Sequence, residues 1–201
     1  MSKKYSTQNN LEIITLNAPE ITDFASARNS LLEKSKAEWI FFVDSDEVVT
    51  DTLRKEINEV VNSAKFEKFN GFYVKRDNYF LRKYSGTDNI IRLGRKNVGS
   101  WKRMVHETWH INGKVGQLKN PLIHYTADSV YRMIEKINEY STLHAIANLK
   151  EGKKSNLFRI IFMPMLKFLQ SLKMHKGFVL SILMSFHSFL SWVKQWELQR
   201  D

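Results

Sequence analysis

Cysteine is missing from the chain altogether, which excludes a disulfide framework and any thiolate metal site. A reducing compartment agrees with that absence. The first ten residues are polar and contain no apolar core of a signal peptide. No helix-turn-helix pattern, zinc-ligand spacing or RNP-type strand occurs, so nucleic acid is not expected as a partner even at a pI of about 9.7. Acidic residues are also in the minority, 21 against 31 Lys and Arg, for a net charge of +10. That surplus is uneven: nine bases against three acids fall between Lys150 and the C-terminus. An anionic partner follows, and because the basic region is also the most apolar one, a membrane surface suits it better than nucleic acid. At 201 residues the chain is one ordinary domain, or one domain with an appendage.

What is present begins with helix–strand–helix patterning. Thr22 or Asp23 can cap a helix running to about Lys36, with Phe24, Ala27, Leu31 and Leu32 on one face. The apolar run 39–43 reads as a buried strand, and Thr50 and Asp51 open a second helix to about Ala64. This is the grammar of a parallel α/β sheet. Between Gly71 and Tyr125, extended runs at 71–76 and 89–93 are punctuated by Gly86, Gly94, Gly99, Gly113 and Gly116. They read as strands and turns covering the carboxyl end of the first sheet. A long helix is expected from about Asp128 to Leu149, burying Val130, Met133, Ile134, Ile137 and Tyr140 and stopped by Gly152.

The strand 39–43 ends at Asp44-Ser45-Asp46-Glu47. Residues i and i+2 share a strand face, so Asp44 and Asp46 can converge on one hard divalent cation, Mg²⁺ or Mn²⁺, which would in turn hold a diphosphate. The position beyond a strand's carboxyl end is where open α/β sheets bind ligands. Against this stands turn and capping chemistry, which also favours Asp and Ser. Arg28 falls on the apolar face of its helix. It either snorkels or pairs with a carboxylate, or it aims a fork at a phosphate. Trp101 is either a platform for a sugar ring or ordinary packing, and His124 is either a ligand or a buried hydrogen-bonded histidine.

The tail, 157–196, interleaves large apolar residues with Arg159, Lys167, Lys173 and Lys176. Residues 177–193 carry no formal charge, but seventeen residues lie at the short edge of a membrane span, and Ser181, Ser185, Ser188 and Ser191 lay a polar stripe along them. One or two interfacial helices with Trp192 and Trp196 at headgroup depth are expected, against a helix pair packed on the main domain or a true span.

Four motifs in order, Asp23-Phe24-Ala25-Ser26-Ala27-Arg28-Asn29, Glu38 to Glu47, Val105-His106-Glu107 and Pro121-Leu122-Ile123-His124-Tyr125, resemble family 2 glycosyltransferases. The nearer likeness is to the bacterial branch with lipopolysaccharide-core β-glucosyltransferases. The resemblance implies an α/β, Rossmann-like GT-A fold and inverting transfer from a nucleotide-sugar, UDP-linked, to a lipid-linked or envelope glycan on the inner face of the membrane. It implies Asp44, Asp46 and His124 at a Mg²⁺ or Mn²⁺ ion, Arg28 and Asn29 at the nucleotide, Glu107 as base, and Trp101 and His106 near the acceptor. The family's opening strands, of the types V-x-I-P-x-x-N-E and D-x-G-S-x-D, have no counterpart, and Leu11–Leu16 reads as a later strand. An N-terminally incomplete GT-A domain over 1–150 with a helical, membrane-associating tail over 151–201 is therefore expected, with open sheet edges. The alternative is an inactive remnant that binds a membrane or a partner chain.

Overall fold

A computed structural model describes residues 3–8, 10–16, 21–104, 107–174 and 177–200. The chain forms two compact units, one of residues 1–78 and 87–124 and the other of residues 79–86 and 125–201.

In the first unit the apolar run becomes β3 (Trp39–Asp44), buried along nearly its whole length. It pairs in parallel with β2 (Leu11–Leu16), so that Leu16 and Asp44 end side by side. Strand β2 pairs antiparallel with β1 (Lys3–Gln8) along its other edge. On its other side β3 meets β6 (Lys83–Arg95) antiparallel, followed in the sheet by β5 (Gly71–Phe80), β10 (Leu122–Ala127) and β4 (Glu47–Val49). The 71–125 region was expected to cover the first sheet. Much of it instead extends that sheet, because long strands with apolar residues such as Phe72, Val74 and Leu93 supply a face that only sheet pairing and a shared core can bury. The short β9 (Val115–Gln117) pairs with β5, while β7 (Gly99–Lys102) and β8 (Thr108–Ile111) form a separate ribbon.

Of two glycines read as turns, one is a turn and one is not. Gly94 lies inside β6, where a Cβ would come within 2.8 Å of the Trp109 ring, so it is a close approach rather than a turn. Gly113, at φ +97°, does make the expected reversal.

The helices begin at the caps expected. Asp23 accepts from Ser26 N at 2.9 Å to open α1 (Phe24–Lys34), and Thr50 accepts from Leu53 N to open α2 (Asp51–Asn62). Helix α1 ends short of Lys36 because Ser35 turns extended and donates its hydroxyl to Glu12 at 2.6 Å. Leu53, Ile57 and Val60 of α2 join the sheet core around Trp39, Phe41 and Phe72.

In the second unit α3 (Val130–Lys150), opened by Ser129, clusters with α4 (Leu157–Lys173) and α5 (Phe178–Leu198). Its buried line runs through Met133, Ile137, Ser141 and Ala145, whereas Val130 and Ile134, expected inside, are exposed. Among the described residues no helix is long and apolar enough to cross a membrane.

Ile57 is fully buried in the sheet core. The Ile57→Ala variant is expected to lose about 2–5 kcal/mol of unfolding free energy, read from the denaturant midpoint.

Candidate functional site

The carboxyl end of β3 delivers Asp44, and the tight turn into β4 returns Glu47 beneath it. Glu47 Oε2 accepts the backbone N–H of Asp44 at 2.9 Å. Register brings the next element: β10 pairs antiparallel with β4, placing His124 opposite Glu47. Arg92 arrives from β6, Arg76 from β5 and Arg28 from α1.

These side chains form an alternating chain of charge. Arg28 donates to Asp44 at 2.5 Å and to Glu107 at 3.0–3.1 Å. Arg92 donates to the other oxygen of Asp44 at 2.5 Å and to Glu47 at 3.0 Å. Arg76 donates to Glu47 at 3.0 Å and grips Asp88 with two bonds. The order is Glu107, Arg28, Asp44, Arg92, Glu47, Arg76, Asp88. Its depth varies: Arg28 is 1% exposed and the Glu47 side chain 0%, while Asp88 at the end keeps 39% of its side chain exposed. Burial alone would raise the Asp44 carboxyl. The Arg92 and Arg28 guanidiniums overcome it and hold the group well below the usual carboxylate range. Burial likewise opposes the charge on Arg92, and Asp44 and Glu47 restore it, raising its pKa.

Aromatic rings support this chain. The Arg28 guanidinium lies 4.6 Å from the centroid of Trp101, which stacks on Trp109 at 5.2 Å and meets Phe42 edge-on. Trp101 is 3% exposed, so it offers no face to a sugar; of its two readings, packing is the one the structure holds. Asn29, expected at the nucleotide, instead braces the β7 backbone. Its amide donates to Trp101 O at 3.0 Å and accepts from Trp101 N at 2.8 Å. Arg28 pairs with carboxylates, as one of its two readings had it. His106 lies outside the described residues.

Asp46 meets His124 beside the ladder, with His124 Nε2 3.4 Å from Asp46 Oδ2, and the His124 ring also acts on Asp88 at the ladder's end. The other ring nitrogen, Nδ1, lies 2.6 Å from Asn78 Oδ1. An amide oxygen accepts only, so Nδ1 donates to it; this leaves Nε2 as the ring nitrogen that faces the Asp46 carboxylate. By formal charge the ladder carries four carboxylates against three guanidiniums, and Asp46 adds a further negative charge. A divalent cation fits this donor set at Asp46 and His124. Asp44, expected as a ligand, has both oxygens engaged by arginines. Among the described residues no three carboxylate or imidazole side chains form a ready cage, so ligand oxygens would have to complete the shell.

Beside Asp44 a cleft of about 300 Å³ opens at the carboxyl ends of the parallel strands β2 and β3, lined in part by Thr15, Val43, Ser45 and Arg54. Arg54, Arg76, Glu47 and Arg92 were not singled out from sequence. For Arg92 the available signal was an arginine in an otherwise apolar strand, Ile90-Ile91-Arg92-Leu93.

Residues 1–136 match the family model described as Glycosyl transferase family 2, and the chain belongs to that family. Its α/β architecture is accordingly the GT-A type expected from the motifs. It is 26% identical over 183 residues to an uncharacterized glycosyltransferase of Rickettsia typhi, covering 80% of this chain and 63% of that protein. It is 28% identical over 155 residues to the lipopolysaccharide core biosynthesis glycosyltransferase LpsC of Rhizobium meliloti, covering 73% and 57%. The chain thus spans about three-fifths of the length of these relatives.

A depressed Asp44 pKa means its ionised form is stabilised by folding. That stability is complete above the ordinary carboxylate value of about 4 and is lost as pH falls below it. Asp44→Asn should therefore flatten the acid limb of a stability–pH profile. Arg92→Met, which leaves Glu47 buried with one fewer partner, is expected to cost about 3–5 kcal/mol in chemical denaturation.

Proposed function

We propose that this chain is an inverting glycosyltransferase that moves a hexosyl group from a UDP-linked donor to a lipid-linked or cell-envelope glycan of the lipopolysaccharide-core kind, at the cytoplasmic face of the membrane. The observation that carries the reading is the convergence of Arg28, Asp44 and Glu107, from three separate motifs, into one hydrogen-bonded unit at the carboxyl end of β3. LpsC, whose name places it in lipopolysaccharide core biosynthesis, supports the acceptor class.

Asp46 and His124 would hold Mg²⁺ or Mn²⁺ together with diphosphate oxygens, and the ion supplies charge neutralisation as the nucleotide departs. Glu107 takes the proton from the acceptor hydroxyl while that oxygen bonds to the anomeric carbon. The sugar–phosphate bond breaks with its electron pair leaving on UDP. Arg28, donating through Nε and Nη2, fixes the Glu107 carboxylate from behind. Asp44, held between Arg28 and Arg92, forms a rigid wall of the adjoining cleft rather than a loose ligand.

The competing reading, an inactive chain that only binds a membrane or a partner, draws on the full engagement of Asp44 by arginines. Calorimetric titration with UDP separates the two. The proposal expects UDP binding that strengthens with Mn²⁺ and a loss of that metal dependence in Asp46→Ala; a folded chain that ignores UDP supports the inactive one. Glu107→Gln is expected to keep UDP affinity and to lower transfer about 10²–10⁴-fold in a donor-turnover assay.

A further inference from the structure

Helix α4 is built inside out: its buried residues are Pro164 and Ser171. Helix α5 buries Ser181, Ser191 and Gln195, and its Leu180 and Leu183 join an apolar core with Met133 and Ile137. Many large apolar residues of both helices nonetheless face outward. On α4, Leu157, Phe158, Ile161, Phe162, Met165, Leu166 and Leu169 recur at spacings of one, three and four and make one continuous exposed face, with Leu157 at 69% and Phe158 at 60%. On α5 the stripe is Phe178, Ile182, Phe186 and Phe189, with Phe178 at 64%.

Ser181 and Ser191 of the polar stripe bond back to Gly177 O and His187 O, and other polar groups reach neighbouring segments. Ser185 donates to Pro164 O at 2.9 Å, satisfying a carbonyl of the proline-containing helix, and Ser155 donates to Trp192 O at 2.7 Å. Lys194 bonds Asn138, Ser141 and Thr142 on α3, and Gln195 donates to Lys153 O. Small residues and hydroxyls at helix contacts with large apolar side chains outside is the pattern of helices whose surroundings are lipid. In water a face of this size is unfavourable, and monomeric proteins rarely present one.

Charge identifies the lipid. Arg159, Lys167 and Lys173 lie on the same helix as the apolar face, and α4 carries no acid. Trp192 lies under Arg159 at 5.2 Å and Trp196 under Arg200 at 4.5 Å, pairs of the kind that settle at headgroup depth. Among the described residues neither helix is long and apolar enough to cross a membrane, and a basic pair with one exposed apolar face suits the interface.

We propose that the exposed faces of α4 and α5 form an interfacial membrane anchor selective for anionic lipid, with the phenylalanines and leucines among the acyl chains and the Arg/Lys set at the phosphates. The inference rests on the membrane placement proposed above and names the surface and the lipid class that would realise it.

The test is flotation of the full chain with phosphatidylglycerol vesicles and with phosphatidylcholine vesicles, beside a Phe162→Glu/Leu166→Glu variant. Both positions are exposed, so the variant should keep its melting temperature and its UDP affinity. The inference expects binding to phosphatidylglycerol that salt weakens, little binding to phosphatidylcholine, and a drop of about tenfold or more in the variant. Equal binding to both lipids overturns the anionic selectivity. Absence of vesicle binding, or a chain that self-associates through this face and becomes monomeric in the variant, overturns the anchor. In those cases persisting UDP binding leaves the glycosyl-transfer reading intact.

Discussion

Three guanidiniums and four carboxylates alternate at the end of β3, and burial makes the alternation obligatory. A carboxylate such as Glu47, with no exposed side-chain surface, is tolerated only because Arg76 and Arg92 both donate to it. Asp44 in turn accepts from both Arg28 and Arg92, one on each oxygen. Removing Arg92, which holds both Asp44 and Glu47, strips each of these carboxylates of one of its two guanidiniums. The ladder therefore ties α1, β3, β5 and β6 into one geometry, and it fixes where Glu107 and the mouth of the cleft must be.

This constraint explains how one motif divides its labour. Asp44 and Asp46 share a strand end, yet Asp44 faces the arginines while Asp46 faces His124 from β10. The antiparallel β4–β10 register creates that second pairing.

The parts of the fold legible in the sequence were those set by local chemistry. Asp23 and Thr50 act as caps, the apolar run before Asp44 is a buried strand, and Gly152, at φ +73°, ends α3. What escaped depended on long-range register. Nothing local in 83–95 says that β6 will pair with β3 and carry Arg92 to Asp44. Gly94 resembles a turn until Trp109 is seen above it. Arg28 on an apolar helix face was visible as an anomaly, but only the fold supplies its two carboxylates and the indole beneath it. The serine stripe of α5 was also visible; that Ser181 and Ser191 are buried, and that Ser185 reaches across to Pro164 O, is tertiary packing that sequence periodicity does not encode.

The central claim is that the arginine-clamped Asp44 is a fixed wall and that the cation belongs to Asp46 and His124. A crystal structure with UDP and Mn²⁺, read by the anomalous signal of manganese, tests it most directly. The account predicts the ion between Asp46, His124 and the diphosphate, with Asp44 still held by Arg28 and Arg92. Manganese seated on Asp44, with either arginine displaced, would contradict it.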